Sequence, residues 1–164
     1  MSIERVFVAG AGLMGHGIAM VHAGIGKQVT LYEPDLNRAM AGRDRIARNF
    51  DRWIEKGILD EATRDTTMAR IRPTNRLVDV AEADLVIEAV FEDPAVKAQV
   101  FAEIEPHLAP DALLGSNTST LPITGLAEGV SRPADFIGLH FFSPVDKMPL
   151  LEIIKGEKLS LIHI

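Results

Sequence analysis

The chain has 164 residues, a length typical of one domain that can bury a hydrophobic core. Apolar residues make up 47% of it and charged residues 24%, which excludes intrinsic disorder and fibrous repeats. The net charge is −6, from 23 acidic and 17 basic residues, and an acidic surface disfavours nucleic acid as a partner. With no cysteine, and with five histidines far apart, the sequence predicts neither disulfides nor a metal site.

The sequence shows no targeting or membrane segment. Its opening, MSIERVFVAGAG, lacks the charged start, long apolar stretch and cleavage site of a secretory signal. No apolar run approaches the roughly 20 residues that a membrane span requires. We therefore expect a cytoplasmic or organelle-matrix protein.

Short apolar segments alternate with longer segments of helical periodicity. The predicted strands are, in chain order, Arg5 to Ala9, Val29 to Tyr32, a weaker Ile71 to Thr74, Asp84 to Ala89, Leu113 to Gly115, Phe136 to His140 and Leu151 to Ile154. The predicted helices include Gly15 to Ala23 and Pro94 to Ile104, the second of which Asp93 can cap. This order predicts βαβ units and a mostly parallel α/β sheet.

The segment from Leu36 to about Arg70 is long for a simple crossover and predicts two helices broken at Gly57, a helical hairpin insertion. The first of these helices has an apolar stripe and a basic stripe. The apolar stripe consists of Ile46, Phe50, Trp53 and Ile54, and the basic stripe of Arg45, Arg48, Arg52 and Lys56. A basic stripe is most often a solvated helix face, and a binding surface is the alternative.

The segment VAGAGLMGHG places Gly10, Gly12 and Gly15 in a G-x-G-x-x-G pattern between a predicted strand and a predicted helix. Side chains at these positions would block the tight turn, the approach of a pyrophosphate or helix-to-strand packing. Glu33 ends the next strand, where a carboxylate can accept the ribose hydroxyls. Together these features predict a doubly wound, Rossmann-like dinucleotide site; a glycine-rich turn that binds nothing is the alternative.

The residues around the end of the second strand indicate which dinucleotide binds. Glu33 and Asp35 would repel the additional phosphate of NADP, so the sequence predicts NAD. Arg38 is the nearest basic residue and is the main argument for the phosphorylated cofactor.

Polar residues recur at the carboxyl ends of the predicted strands, where open α/β sheets bind their ligands. Glu92, the segment Ser116 to Ser119 and His140 each follow or end a strand. Individually they have simpler explanations, as a solvated glutamate, a turn and a buried histidine. Their repetition favours a shared crevice.

His140 precedes a proline-containing segment that leads to Glu152 on the next strand. A turn there can bring the two side chains together, and a carboxylate beside an imidazole stabilises its protonated form. Such a pair suits a base that removes a hydroxyl proton while hydride leaves for a nicotinamide. A buried histidine with an unrelated glutamate is the alternative.

Four segments together resemble the NAD-binding domain of the L-3-hydroxyacyl-CoA dehydrogenases. They are VAGAGLMGHGIA, ADLVIEAVFED, LLGSNTSTLPI and GLHFFSPVDKMPLLEIIKGEK, which follow the order of that family as far as Lys158. The resemblance implies an NAD-binding domain over residues 1–158. It also implies oxidation of the 3-hydroxyl of an acyl-CoA in fatty-acid β-oxidation or a related butyryl pathway.

The resemblance also implies roles for individual residues. His140 is implied as the catalytic base, Glu152 as its orienting partner and Ser119 as a contact of the substrate. The positions implied to contact the cofactor, beside the three glycines and Glu33, are Leu13, Met14, Ala89, Glu92, Lys97, Ser119 and Ser143. Those implied to contact coenzyme A are Asn49 and Lys56. Ser143 replaces an asparagine of many single-function relatives, which favours the multifunctional branch.

Members of that family continue into an all-helical domain that closes the substrate pocket and mediates dimerisation. Since this chain lacks it, we expect the chain to be a truncated, inactive portion of a longer parent, and the parent to form a homodimer or part of a multifunctional complex. Residues 159–164, LSLIHI, match the translation of a transposon-based sequencing adaptor, and we expect them to be a non-native tail. The rival functions are a non-catalytic NAD-binding module and a related hydroxy-acid dehydrogenase that does not use coenzyme A.

Overall fold

The computed structural model describes residues 2–160 and contains one seven-stranded sheet with helices on both faces. The strands are β1 Arg5–Ala9, β2 Gln28–Tyr32, β3 Ile71–Thr74, β4 Leu85–Glu88, β5 Leu113–Ser116, β6 Phe136–Phe141 and β7 Leu151–Lys155. The α-helices are α1 Leu13–Gly24, α2 Leu36–Glu55, α3 Glu61–Met68, α4 Pro94–Ile104 and α5 Ile123–Ala127. All seven predicted strands are present, each within a residue or two of its predicted bounds.

The strand order is β3-β2-β1-β4-β5-β6-β7, and every pairing is parallel except that of β6 with β7. The chain therefore moves outward on one side of β1 and then returns to continue on the other side. The carboxyl ends of β1 and β4 flank this reversal, which is where doubly wound sheets bind ligands. The predicted doubly wound, mostly parallel fold is confirmed.

The alternating residues of β1 supply the two hydrophobic layers. Val6 and Val8 pack in the layer under α1 and α2, while Phe7 and Ala9 pack in the layer under α4 and α5. All four are at most 1% exposed. Because successive side chains of a strand point to opposite faces, a central strand buried on both faces is apolar throughout.

The predicted helical hairpin is α2 followed by α3, with the left-handed Gly57 (φ +69°) between them. Ile46 and Phe50 of the apolar stripe are buried against the sheet, and Trp53 packs on Phe50 edge to face. Three helices begin with an aspartate N-cap whose side chain accepts a backbone N–H of the first turn: Asp35 for α2, Asp60 for α3 and Asp93 for α4.

One short helix was not predicted, and the predicted tail is only partly within the described residues. The short helix α5 was not predicted, because its five residues span little more than one turn and give no periodic signal. Of the expected tail, residues 161–164 lie outside the described residues. Leu159 is buried in the hydrophobic layer under α1 and α2, and Ser160 donates its N–H to the Ala134 carbonyl at 2.9 Å. That residues 159–164 are a non-native tail stays a prediction.

Within residues 2–160, no helix is long and apolar enough to cross a membrane. The same residues contain no group of three or more histidine, aspartate or glutamate side chains arranged to hold a metal ion.

Candidate functional site

The turn between β1 and α1 is built as its glycines predict. Gly10 has φ +109°, and a Cβ there would lie 2.6 Å from the carbonyl oxygen of Ala89. A Cβ on Gly15 would lie 1.7 Å from the carbonyl oxygen of Gly10, so this position admits no side chain. A Cβ on Gly12, by contrast, would meet no atom within 4 Å. Gly12 is the N-cap of α1, so the open space at this glycine lies at the helix N-terminus.

Glu33 closes one side of this turn. Its Oε1 accepts the N–H of Ala11 at 3.1 Å and lies 3.8 Å from an Arg38 guanidinium nitrogen. The Glu33 side chain is only 13% exposed, whereas that of Arg38 is 61% exposed. Glu33 is thus held facing the glycine turn, and Arg38 is a loosely paired cation at the rim.

Glu92, after β4, organises the segment that follows β5. Its Oε1 accepts the hydroxyl of Thr118 at 2.6 Å and the N–H groups of Ser119 and Thr120 at 2.8 and 3.0 Å. Burial would raise the pKa of the Glu92 carboxyl group, but these hydrogen bonds, with the charge of Lys97, lower it to about 2. Glu92 is therefore ionised at neutral pH and holds Ser119 at the crevice.

Lys97 lies beneath this carboxylate. It is 1% exposed, and its Nζ lies 2.7 Å from Glu88 Oε1 and 3.2 Å from Glu92 Oε2. Glu88 is the last residue of β4, is 0% exposed and was not among the predicted site residues. One signal was available, since a glutamate within the apolar run LVIEAV must be paired if that run is a buried strand. A direct contact of Lys97 with the cofactor stays a prediction.

His140 and Glu152 lie directly opposite each other in the antiparallel pairing of β6 with β7. Glu152 Oε2 lies 2.8 Å from His140 Nδ1. Since a carboxylate can only accept, Nδ1 donates, which leaves Nε2 with the lone pair of a general base. The proline-containing turn therefore joins the two side chains as the sequence analysis expected.

Two residues without a role in the sequence analysis support His140. The ring of Phe142 packs on the imidazole with centroids 4.4 Å apart. Asn117 Oδ1 accepts the N–H of Phe141 at 2.9 Å, which ties the end of β6 to the segment after β5. Asn117 belongs to the SNTS motif, but no sequence pattern shows that its side chain reaches a neighbouring strand.

Three adjoining cavities surround the glycine turn. The first, of about 440 Å³, has Gly10, Gly12, Leu13, Met14, Glu33, Arg38 and Ala89 among its lining residues. The second, of about 390 Å³, has Met14, Ala89, Glu92, Asn117, Ser119, His140, Phe142 and Ser143. Because Met14 and Ala89 line both cavities, the glycine turn and His140 line one crevice.

The third cavity, of about 280 Å³, joins the crevice at Ser143 and extends along α2. Asn49 and Lys56 line it, together with Arg52 and Lys147, which the sequence analysis did not place there. Arg45 and Arg48 of the basic stripe are exposed and are not among its lining residues. The structure thus brings one half of the stripe to the crevice and leaves the other half on the solvated helix face.

The residues of the first cavity fit a dinucleotide. The open space at Gly12 and the amides of the first turn of α1 suit a pyrophosphate, because the first N–H groups of a helix have no partners within it. Glu33 is placed for ribose hydroxyls, and its charge opposes a phosphate at the same position. NAD therefore fits this part of the crevice.

The chain is similar in sequence to known proteins over nearly its whole length. The model of the family described as "3-hydroxyacyl-CoA dehydrogenase, NAD binding domain" matches residues 5–161. The 3-hydroxybutyryl-CoA dehydrogenase of Mycobacterium tuberculosis is 44% identical over 155 residues, which are 94% of this chain and 54% of that protein. The fatty acid oxidation complex subunit alpha of Psychrobacter cryohalolentis is 42% identical over 158 residues, or 96% of this chain and 22% of that protein.

Among solved structures, the crystal structure of (S)-3-hydroxybutyryl-CoA dehydrogenase from Ralstonia eutropha is similar with a TM-score of 0.96 at 37% identity. The similarity covers 98% of this chain and 57% of that one. The chain thus spans about half the length of the two 3-hydroxybutyryl-CoA dehydrogenases and 22% of the fatty acid oxidation complex subunit alpha.

Proposed function

Because the chain belongs to the family of NAD-binding domains of the 3-hydroxyacyl-CoA dehydrogenases, we propose that its crevice oxidises the 3-hydroxyl group of an L-3-hydroxyacyl-CoA. The observation that carries this proposal is that His140, which is paired with Glu152, lines the same crevice as the glycine turn and Glu33. A general base beside a nicotinamide site is the arrangement that an alcohol dehydrogenation requires.

Bound NAD supplies the acceptor for the hydride that leaves C3 of the substrate. His140 takes the hydroxyl proton on Nε2, since its Nδ1 hydrogen is held by Glu152. The imidazolium that forms is stabilised by the Glu152 carboxylate at 2.8 Å. Ser119, which Glu92 holds at the mouth of the crevice, offers a hydroxyl to the reacting oxygen.

The third cavity supports coenzyme A as the carrier of the substrate. The cavity is lined by three cations, Lys56, Arg52 and Lys147, and one carboxylate, Asp146, which leaves it positively charged. Coenzyme A has phosphate groups that such cationic side chains bind. The cavity joins the crevice at Ser143, so a ligand can lie along α2 with its reactive end near His140. In this proposal Asn49 and Lys56 contact coenzyme A.

The length of the acyl chain and the assembly of the whole protein are further proposals. The names of the relatives support a short or a general acyl chain equally, since they include 3-hydroxybutyryl-CoA dehydrogenases and subunits of fatty acid oxidation complexes. A homodimer, or a place in a multifunctional complex, stays a prediction.

An assay of NADH consumption tests the function. We would use a chimera in which the remaining sequence of the M. tuberculosis 3-hydroxybutyryl-CoA dehydrogenase follows residue 158. The chimera should reduce acetoacetyl-CoA and should be nearly inactive with free acetoacetate. A chimera with His140→Gln is the control for activity that does not depend on this crevice. Equal rates with both substrates would favour a hydroxy-acid dehydrogenase, and no turnover by a folded, NADH-binding chimera would favour a non-catalytic module.

A further inference from the structure

We infer that Glu88 is a positioning residue for this site, because it fixes Glu92 through Lys97 and thereby fixes the segment that carries Ser119. The inference rests on the proposed function for the chemistry that Ser119 serves. Its geometric content rests on side-chain contacts alone.

The Glu88 carboxylate is completely buried and has a donor on each oxygen. Lys97 Nζ and the Val90 N–H donate to Oε1 at 2.7 and 2.8 Å, and the Ser116 hydroxyl donates to Oε2 at 2.6 Å. These donors come from a helix, a loop and a neighbouring strand. Because the three donors lie on different elements, their hydrogen bonds together hold the Glu88 carboxylate in one position.

Lys97 transmits this position to the crevice. Its ammonium is buried between two carboxylates, that of Glu88 and that of Glu92, and only the second reaches solvent. Because the Lys97 ammonium is only 1% exposed, water cannot solvate it in place of a carboxylate that is lost. Loss of the charge on Glu88 would therefore leave Lys97 with Glu92 as its one anionic partner and draw Glu92 inward.

Glu92 passes the constraint on to Ser119. The oxygen that does not face Lys97 accepts the N–H of Ser119 and that of Thr120. Glu88 also holds Ser116, where the same segment begins, and Ser116 Oγ accepts the N–H of Thr118 at 3.3 Å. The segment 116–120 is thus attached to Glu88 at its start directly and further along through two side chains.

The stability of the fold does not by itself account for this arrangement. Glu88 and Ser116 are already paired in the β4–β5 ladder, and the layer around them is apolar. A buried ion pair is often no more stabilising than apolar side chains of the same volume, whereas it fixes a geometry that they do not. The pair lies directly beneath the carboxylate that holds Ser119, and this is the geometry that it fixes.

The test is the variant Glu88→Gln in the chain as it exists, compared with Glu103→Gln, which removes an exposed carboxylate from the same helix as Lys97. Glu88→Gln should weaken NADH binding about fivefold or more, as expected when one hydrogen bond to a charged group is weakened. The amide proton resonances of Ser119 and Thr120 should move upfield in a ¹⁵N–¹H spectrum. Glu103→Gln should change neither measurement.

If Glu88→Gln does not fold, the double variant Glu88→Gln with Lys97→Met replaces it, because the double variant leaves no unpaired buried ammonium. It should fold and show the same two changes, since Glu92 loses its contact with the Lys97 ammonium and is no longer held in the position that fixes Ser119. Unchanged Ser119 and Thr120 resonances and unchanged NADH affinity in either folded variant would overturn the inference. Neither measurement needs a substrate. A chimera that does not reduce acetoacetyl-CoA would therefore refute the proposed function without affecting this inference.

Discussion

His140 and Glu152 should respond differently to conversion into amides. In the chimera, His140→Gln should slow oxidation of 3-hydroxybutyryl-CoA roughly a hundredfold to ten-thousandfold, the usual worth of a general base, with NADH affinity unchanged. Glu152→Gln should slow it less, because a neutral amide can still orient the ring but does not stabilise the imidazolium that forms as His140 takes the proton. Near-normal rates in both variants would show that another group is the base.

We expect Glu33 to determine the preference for NADH over NADPH, and the neighbouring Arg38 makes this testable. Glu33→Ala should weaken NADH binding by about 1.5–3 kcal/mol, the range for a hydrogen bond to a charged group. The affinity for NADPH should fall less or should rise, because the variant removes the repelling carboxylate and frees Arg38 to bind the additional phosphate. Fluorescence titration with both reduced cofactors measures this, with the exposed Glu55→Ala as control. Parallel losses for NADH and NADPH would remove Glu33 from this role.

At the scale of the β1–α1 unit, two of the glycines serve different purposes that alanine substitution separates. Gly15→Ala should destabilise the fold by roughly 1–3 kcal/mol or more, because the new methyl group overlaps the Gly10 carbonyl. Gly12→Ala should leave the melting temperature nearly unchanged and weaken NADH binding about tenfold or more, because its methyl group occupies the space left for the pyrophosphate. Thermal melts and NADH titrations of both variants check this; strong NADH binding by Gly12→Ala would place the pyrophosphate elsewhere.

The link between α4 and the segment after β5 should be sensitive to acid. The pKa of Glu92 falls from 4.5 to about 2 on folding, so its carboxylate stabilises the fold above pH 4.5 and ceases to do so as the pH falls toward 2. Urea unfolding at about pH 6 and about pH 3 should therefore show a larger loss of stability in the wild type than in Glu92→Gln. Other carboxyl groups with lowered pKa values, Glu4, Asp60 and Asp84, are common to both proteins and cancel in the comparison. Equal losses would mean that Glu92 does not stabilise the fold through its charge.

At the scale of the whole molecule, the chain should bind NADH by itself yet turn over acetoacetyl-CoA far more slowly than the chimera. The glycine turn and Glu33 belong to one sheet whose core closes within the described residues, so cofactor binding needs nothing further. The crevice around His140 is open, and orientation of a substrate is worth roughly 7–11 kcal/mol in favourable cases. Calorimetric titration with NADH beside the consumption assay tests both halves. A rate for the chain within about tenfold of that of the chimera would refute the second half.

Most of the fold and part of the site could be predicted from the sequence because their signals are local. The strands, the helical break at Gly57 and the glycine turn each depend on residues within one short window. Glu88 depends on partners 9 and 28 positions away, Lys97 and Ser116, which no local pattern connects to it. The division of the basic stripe likewise depends on where the segment around Ser143 folds over α2.

Because His140 and Glu152 are paired across β6 and β7, their contact tolerates changes in loop length but depends on the register of the two strands. A slip of one residue in β7 would bring Leu151 or Ile153 opposite His140 and turn Glu152 to the other face of the sheet. Both residues would still be present, and the base would have lost its partner. Natural variants and engineered insertions near the exposed Met148 and Pro149 should therefore be judged by whether the strand alignment survives, since loop length alone does not matter to the pair.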